Sequence, residues 1–390
     1  MEIFRKSKKK NNFTLVFDIG SASVGAALFE TQKNGIPKII YSVRDIIPIQ
    51  DHIDFSNFMF LTIKTLQIVA AKICLAHLGA PDRIFCTLSS PWYASQTRVI
   101  NFSKSNSFLF NEKLANNLIN KEIKLFEKEY VNKEEDLNNV KILELKNIQT
   151  VLNGKVQGKI VGQKVKDVEI TLFVSMSEKE FLNKIEDIVG QHFHIKKINF
   201  SSLPINTFSL VRDIFTNKDN FLLLDIGGEV TDIHMVNKDI LTDSISFPLG
   251  FNYFFRLITE ELNCSLDEAK SYLSLYKDKH MSESMGKNFE QTIDKLKRDW
   301  IYKFEESILG ITNNLQIPTN IFITVDNNLS DFFGEIVKSE KFNKDIFKEN
   351  KFEVISMDTK KLHGLASFSE NIVRDPLLTI ESIYINRFLT

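Results

Sequence analysis

The feature that most constrains this chain is a strand and tight turn that occur twice. Phe17-Asp18-Ile19-Gly20 is matched by Leu224-Asp225-Ile226-Gly227, and the two aspartates are 207 positions apart (225 minus 18). In both copies an apolar strand leads into the turn and a second strand follows at once. Solenoid repeats have periods of only about 20–50 residues. The duplication therefore predicts an α/β fold of two similar halves that face each other, with a site between them.

The composition is that of a folded protein with a sizeable core and no dominant charge. The 390 residues are 43% hydrophobic and 25% charged, with a formal net charge of −1. This balance excludes an overall basic field that would attract nucleic acid. The cysteines, Cys74, Cys86 and Cys264, are far apart in sequence and form no Cys-x-x-Cys pair, so a reducing compartment fits best.

The longest apolar run, residues 58–78, is interrupted by Lys64 and Lys72. Its apolar residues recur at helical spacing, which predicts an amphipathic helix rather than a membrane span. The basic start, MEIFRKSKKK, is followed only by a strand-length apolar run, so we expect no export signal.

Residues 91–176 are charged and rich in Asn, and they separate the two copies of the turn. We predict an inserted α+β subdomain here, with a helix at 111–129 and strands at 140–152, 155–161 and 167–175. The predicted organisation is a first half at 1–90, the insertion at 91–176, a return to the first half at 177–219, a second half at 220–370 and a C-terminal helix at 371–390.

Local sequence patterns predict where several helices lie. Ser177 with Glu180, and Ser265 with Glu268, are capping-box sequences that predict helix starts. A further short helix is predicted at 359–366, between a strand and the C-terminal helix.

The duplicated turn has a clear chemical meaning. A strand-end Asp can hold a hydrated Mg²⁺, and the backbone N–H groups beside a following Gly can approach a phosphate closely. One such turn is a weak signal, but two in equivalent contexts predict a phosphate clamp between the halves.

Three segments resemble the actin-like ATPase superfamily, and within it the bacterial FtsA and PilM type of protein. They are FDIGSASVGAALFE, LLLDIGGEVTDIHMV and FPLGFNYFFRLITEELNCSLDEAKSY. The resemblance implies a duplicated, ribonuclease H-like fold with an inserted SHS2-type subdomain, for which residues 91–176 stand in the expected place.

The resemblance also implies a set of nucleotide-binding residues. In the first half these are Asp18, Gly20, Ser21 and Ser23. In the second half they are Asp225, Gly227, Gly228 and Thr231, with Gly250 near the ribose. Asp18 and Asp225 would hold Mg²⁺ through water. The alternative is that the glycines serve only a close crossing of the two hairpins.

Two departures from the family pattern predict that ATP and Mg²⁺ bind weakly or not at all. Glu229 stands where family members commonly have Gly or Ser, and a carboxylate there would repel a polyphosphate. Residues 326–328, Asp-Asn-Asn, stand where the adenine-side loop usually has glycines. No water-positioning residue can be named, so at most a slow ATPase is expected.

The resemblance implies a cytoplasmic scaffold at the inner face of the cell membrane. Its partner would be the cytoplasmic peptide of a membrane protein in type IV pilus assembly, or the division tubulin in cell division. The basic start is more like PilM and the stretch NGKVQGKIVGQKV is more like FtsA, so both roles stay open. Residues 91–176 are the expected unit for partner binding or self-association. The alternative function is a sugar kinase-like phosphotransferase, which shares the two phosphate turns.

Overall fold

Three β-sheets organise the described part of the molecule. The computed structural model describes residues 12–130, 139–156, 162–195, 197–278, 280–281, 283–312, 317–325, 329–338 and 352–390. Within them, two larger sheets belong to the two predicted halves, and a smaller sheet belongs to the insertion.

The first sheet has six strands in the order β15-β3-β2-β1-β4-β9. It is a mixed sheet, because β1 pairs antiparallel with β2 and parallel with β4. Its strands are β1 (Phe13–Ile19), β2 (Ser23–Glu30), β3 (Lys38–Ile46), β4 (Arg83–Leu88), β9 (Ile198–Ser202) and β15 (Ser367–Phe368).

The second sheet has five strands in the order β12-β11-β10-β13-β14. Its central β10 pairs antiparallel with β11 and parallel with β13, as β1 does with β2 and β4. Its strands are β10 (Phe221–Ile226), β11 (Thr231–Asn237), β12 (Ile240–Phe247), β13 (Asn320–Val325) and β14 (Glu353–Ser356).

The two halves repeat the same hairpin in the same register. Ile19 pairs with Val24 in the first half, and Ile226 pairs with Thr231 in the second. Each pair therefore encloses a turn of equal length, and both turns begin with Gly. The duplication predicted from the sequence is present in the fold.

The insertion forms a four-stranded antiparallel sheet in the order β5-β8-β6-β7, covered by a helix. Its elements are β5 (Ala94–Phe110), α2 (Glu112–Tyr130), β6 (Val140–Leu152), β7 (Lys155–Val156) and β8 (Gln163–Glu178). Apolar side chains of β8 such as Val168, Ile170 and Leu172 pack into a separate core with Phe126 of α2.

The remaining helices cover the two larger sheets. One core lies between the first sheet, α1 and α3, and another lies between the second sheet and α5 to α8. The helices are α1 (Phe55–Leu75), α3 (Lys179–Phe193), α4 (Leu203–Ile214), α5 (Phe251–Leu262), α6 (Leu266–Lys277), α7 (Glu283–Thr312), α8 (Ser330–Lys338) and α9 (Pro376–Tyr384), which continues as a π-helix over Ile385–Leu389.

Helix α1 is long and apolar enough, by length and composition, to cross a membrane. In the fold it lies along the first sheet and packs one face, including Phe58, Leu66 and Val69, into the core. The predicted amphipathic helix is therefore present.

Three local predictions were wrong. Residues 94–110 form the long strand β5, for which no strand was predicted. Residues 359–366 are turns rather than a helix, because Gly364 adopts a left-handed φ of 83°. Ser177 still pairs in β8, so helix α3 begins at Lys179 without a capping box. The capping box of Ser265 and Glu268 is confirmed.

Glu144 of β6 joins the inserted sheet to the first half. Its buried Oε1 accepts hydrogen bonds from the backbone N–H and the hydroxyl of Ser202, the N-cap residue of α4, and from the hydroxyl of Ser175. Burial raises the pKa of Glu144 to about 7, although the bonds from Ser202 and Ser175 and the charge of Lys146 oppose the rise. The junction between insertion and first half therefore contains a carboxyl group that titrates near neutrality.

We expect the Glu144→Gln variant to depend less on pH than the wild type. The pKa of Glu144 in the folded state lies above the ordinary carboxyl value. At a pH between these two values, the folded state binds more protons than the unfolded state. The free energy of unfolding of the wild type therefore falls as the pH rises from the ordinary carboxyl value to about 7. From about pH 5 to about pH 8, the variant should gain on the order of 1–3 kcal/mol in free energy of unfolding relative to the wild type. Urea unfolding at both pH values measures this.

The matched control is Glu186→Gln, which removes only an exposed ion pair with Lys141. Its stability should follow the wild-type pH profile. Parallel profiles for the wild type and Glu144→Gln would contradict the assignment.

Candidate functional site

The two glycine turns have the same internal geometry. The N–H of Gly20 donates to the carbonyl of Ser23 at 3.1 Å, and the N–H of Gly227 donates to the carbonyl of Val230 at 2.9 Å. These bonds close each turn and use the N–H of the first glycine. That group is therefore not directed outward to a phosphate in either turn.

The turns lie directly against each other. The N–H of Glu229 donates to Ser21 Oγ at 3.1 Å. A Cβ at Gly227 would lie 2.7 Å from Ser21 Oγ, and a Cβ at Gly228 would lie 2.8 Å from the Cβ of Ala22. Because these spacings are too short for any side chain, the glycines have a packing role where the hairpins cross.

Gly250 holds the second turn against the start of helix α5. The N–H groups of Phe251 and Asn252 donate to the carbonyls of Gly227 and Gly228 at 3.0 and 2.8 Å. A Cβ at Gly250 would lie 2.3 Å from the carbonyl oxygen of Gly228. The first N–H groups of α5 therefore bind the protein's own backbone, although a helix start of this kind is often an anion site.

The carboxylate of Asp18 is engaged by an arginine. Its Oδ2 lies 2.7 Å from Nη2 of Arg44 on β3, and Asp18 is 1% exposed. The same guanidinium donates to Ser23 Oγ at 2.8 Å. Gly25 makes room for it, since a Cβ there would lie 2.8 Å from Arg44 Nη2. The guanidinium of Arg44 thus binds the Asp18 carboxylate, which was predicted to hold Mg²⁺ through water.

Helix α9 adds two more carboxyl groups to this cluster. Arg44 Nε donates to Asp375 Oδ2 at 2.6 Å, and Asp375 also caps α9 by accepting from the N–H of Leu378. Burial opposes ionisation of Asp375, but the charge and hydrogen bonds of Arg44 outweigh it and lower its pKa. Burial and the neighbouring Asp18 raise the pKa of Glu381 well above its usual range. This shift favours the protonated form of Glu381, which places less negative charge beside Asp18.

In the second half, Asp225 and Thr231 also bond to their own half. Thr324 Oγ1 of β13 donates to Asp225 Oδ1 at 2.6 Å. Thr231 is fully buried and donates to the carbonyl of Leu249 at 2.7 Å. Of these two residues, only Asp225 is partly exposed, so its carboxylate is the one that solvent can reach.

Glu229 is buried rather than directed freely into the cleft. Arg256 of α5 donates to both of its oxygens, at 3.0 and 2.5 Å, and Asn252 donates to Oε1 at 2.8 Å. The negative charge that we expected to oppose a polyphosphate is thus matched by an arginine. The adenine-side residues 326–328 lie outside the residues that the structure describes.

A polar contact between the halves was not foreseen from the sequence. Tyr93, which follows β4, donates to Asp232 of β11 at 3.3 Å, and Ser246 donates to the other oxygen of Asp232. Burial raises the pKa of Asp232, while the bonds from Ser246, Ser90 and Tyr93 oppose the rise. Together with the bond from the backbone N–H of Glu229 to Ser21 Oγ, this contact joins the two halves.

These contacts decide how well the site fits Mg-ATP. The Asp18 carboxylate is buried and paired with Arg44, and Ser21 and Gly228 are buried in the crossing of the turns. A hydrated Mg²⁺ prefers accessible oxygen ligands. The first turn in this arrangement therefore does not fit the metal and phosphates that the resemblance implies.

The fold and the duplicated turns place the chain in a structural class. No family model and no curated protein matches the sequence. A solved structure described as the PilM–PilN type IV pilus biogenesis complex matches with a TM-score of 0.62 and 13% identity, over 96% of both chains. The chain therefore has the mixed α/β actin-like ATPase fold.

The structural similarity is to PilM, over nearly the full length of both proteins. Lower likenesses include the ethanolamine utilization protein EutJ from Carboxydothermus hydrogenoformans, with a TM-score of 0.46 and 11% identity over 96% of this chain and 89% of that one. A Bacteroides thetaiotaomicron protein with an actin-like ATPase fold and unknown function matches with a TM-score of 0.41 and 11% identity over 89% and 91%.

Proposed function

We propose that this protein is a cytoplasmic scaffold at the inner face of the cell membrane, which binds the cytoplasmic peptide of a membrane protein in type IV pilus assembly. The observation that carries the proposal is the likeness to PilM over 96% of both chains, a structure described as a complex with PilN. Because the likeness spans the inserted subdomain as well as both halves, it supports a PilM-like role rather than a role of the shared ATPase halves alone.

We further propose that the two halves are held together without ATP. The N–H of Glu229 donates to Ser21 Oγ and Tyr93 donates to Asp232 across the two halves. Within their own halves, Arg44 pairs with Asp18 and Arg256 pairs with Glu229. These interactions supply inside the chain the charge balance that a bound Mg-nucleotide would otherwise provide. The proposed scaffold is therefore closed at all times, rather than switched by nucleotide.

Mg-ATP is expected to bind weakly or not at all. The buried ion pair between Arg44 and Asp18 must be broken before a metal ion can reach the carboxylate. Binding of the metal would therefore lose the free energy of that pair and would leave the Arg44 guanidinium buried without it. Calorimetric titration of Mg-ATP into the full chain measures this. Sub-micromolar binding, more than about 8.2 kcal/mol, would contradict the prediction. Turnover with ATP and common sugars at about 1–100 per second would instead support the phosphotransferase alternative.

The insertion, residues 91–176, is the proposed partner-binding or self-association unit. Strand β5 lies at the edge of its sheet and carries exposed apolar residues at Val99 and Leu109. An edge strand of this kind can pair with an extended peptide through its backbone. The supporting observation is therefore that β5 is the edge strand of this sheet, within the described residues, on an element outside the duplicated halves.

The test is peptide binding by fluorescence anisotropy. Synthetic cytoplasmic tails of the pilus-assembly membrane proteins from the same genome are titrated with the wild type and with the Val99→Glu, Leu109→Glu double variant. We expect at least one tail to bind and the double variant to bind it about tenfold more weakly. A matched control is Tyr302→Glu, which changes an exposed apolar position on α7, away from the insertion. If none of the tails bound and the division tubulin did, the result would contradict the role in pilus assembly and support one in cell division.

A further inference from the structure

An open polar pocket lies at the end of the first sheet that is remote from the glycine turns. Strand β1 begins beside this pocket at Phe13 and reaches the first turn after Ile19, so the two places are separated by about 20 Å. The pocket has a volume of about 660 Å³, which is within the usual range of ligand sites. Its lining comes from the turn after β2, the start of β4, the end of α4 and the C-terminal π-helix.

Hydrogen bonds fix the walls of the pocket to one another. The side chain of Asn386, which is 5% exposed, accepts from the N–H of Gln32 at 2.7 Å and donates to the carbonyl of Gln32 at 3.1 Å. Arg387 Nε donates to the carbonyl of Gly35 at 3.1 Å. Asn386 and Arg387 belong to the π-helix Ile385–Leu389, a rare conformation that is frequent at functional sites. The turn after β2 is therefore held in one place against the C-terminal helix.

Positive charge predominates among the side chains of the pocket. Lys33, Arg83 and Arg387 are cationic, and Asp213 is the one acidic side chain among the described residues that line it. Asp213 pairs with Arg387. Lys33 and Arg83 form no ion pair within the part of the chain that the structure describes. Because like charges repel, an anion between these two side chains would be favoured.

We propose that this pocket binds a small molecule that carries a phosphate group. A phosphate offers several acceptor oxygens, to which the guanidinium of Arg83 can donate two parallel hydrogen bonds while Lys33 supplies a point charge. The side-chain amides of Asn12 and Gln32 offer neutral donors and acceptors for hydroxyl groups elsewhere in the molecule. An inorganic phosphate ion alone would leave most of the pocket to water, so the ligand is a phosphate ester of a sugar or of a nucleoside.

The pocket lies outside both the insertion and the crossing of the glycine turns. The inference therefore goes beyond the proposed scaffold role, and it adds to the protein a site for a small metabolite. Its failure would leave the binding of peptide tails untouched, and failure of the tails to bind would leave this pocket untouched.

The test is calorimetric titration of the full chain in EDTA, which removes any binding that depends on Mg²⁺. The probes are AMP, GMP and glucose 6-phosphate, and the controls are adenosine, glucose and the dicarboxylate succinate. We expect at least one phosphorylated probe to bind with a Kd below about 1 mM and the three controls to bind more weakly. The proposal is overturned if no phosphorylated probe binds, or if a control binds as tightly as the best of them.

Two substitutions in the pocket should change the affinity in opposite directions. Arg83→Gln should weaken binding of the best probe about tenfold or more, because a charge-assisted hydrogen bond to the phosphate is lost. Asp213→Asn should strengthen it about two- to fivefold, because the acidic side chain is removed and Arg387 is released. General damage to the fold would weaken binding in both variants.

The matched control is Lys64→Gln, which removes an exposed positive charge from α1, away from the pocket. Its affinity should equal that of the wild type. Unchanged affinity in Arg83→Gln, or an equal loss in Lys64→Gln, would show that the probe binds elsewhere and would contradict the assignment.

Discussion

Replacement of Arg44 by Met is expected to lower the free energy of unfolding by about 3–5 kcal/mol. The guanidinium pairs with Asp18 and Asp375, and Glu381 lies beside the same group. Without Arg44, buried carboxylates face each other with no cation among them. Urea unfolding followed by circular dichroism at neutral pH measures the change.

Lys72→Met is the matched control, because its ion pair with Asp45 is more exposed than the pair of Arg44 with Asp18. It should cost less than about 1 kcal/mol. The loss in Arg44→Met should also shrink as the pH falls toward the ordinary carboxyl range. Arg44 lowers the pKa of Asp375, so the stabilising pair is present above that range and is lost on acidification. Equal losses for the two variants, or a loss that is independent of pH, would contradict this account.

Gly250→Ala is expected to cost about 3 kcal/mol or more, since the new Cβ would lie 2.3 Å from the carbonyl oxygen of Gly228. Gly250 has φ −92° and ψ −174°, a conformation open to any residue, so the expected effect is purely steric. The methyl group would push α5 away from the second turn and loosen the crossing with Ser21. Thermal unfolding and hydrogen exchange at Glu229 measure the two consequences.

Gly190→Ala, in the interior of α3, is the matched control. A Cβ there meets nothing within 4 Å, so the change should stabilise the protein by up to about 1 kcal/mol. If Gly250→Ala were as stable as Gly190→Ala, the close crossing described here would be wrong.

Most of the fold could be predicted because local patterns and tertiary structure agree in the two halves. The strand–turn–strand at 13–30 repeats at 221–237, and its apolar strands are buried as their composition requires. Strand β5 could not be predicted, because residues 103–107 are Ser-Lys-Ser-Asn-Ser and lie at a sheet edge, where both faces are largely exposed. Without a buried face, such a strand shows no alternation of apolar residues.

The site residues were predicted less completely than the fold. The turns, their glycines and Asp18 follow from the repeat, but the partners of Asp18 do not. One weak sequence signal pointed to Arg44 as a partner of Asp18: Gly25 pairs with it in the hairpin and leaves space for a long side chain. Asp375 and Glu381 had none, because only the tertiary structure brings α9 to the first turn.

The docking of α9 on the first turn also sets an order of events during synthesis. Arg44 and Asp375 are 331 positions apart, and the strand β15 that completes the first sheet is also made late. At ribosomal speeds of about 5–20 residues per second, Arg44 waits on the order of 20 to 70 s for this partner. The insertion, whose strands are contiguous in the chain, can fold on the ribosome in that interval. The half that begins the chain is thus among the last parts to reach its native state.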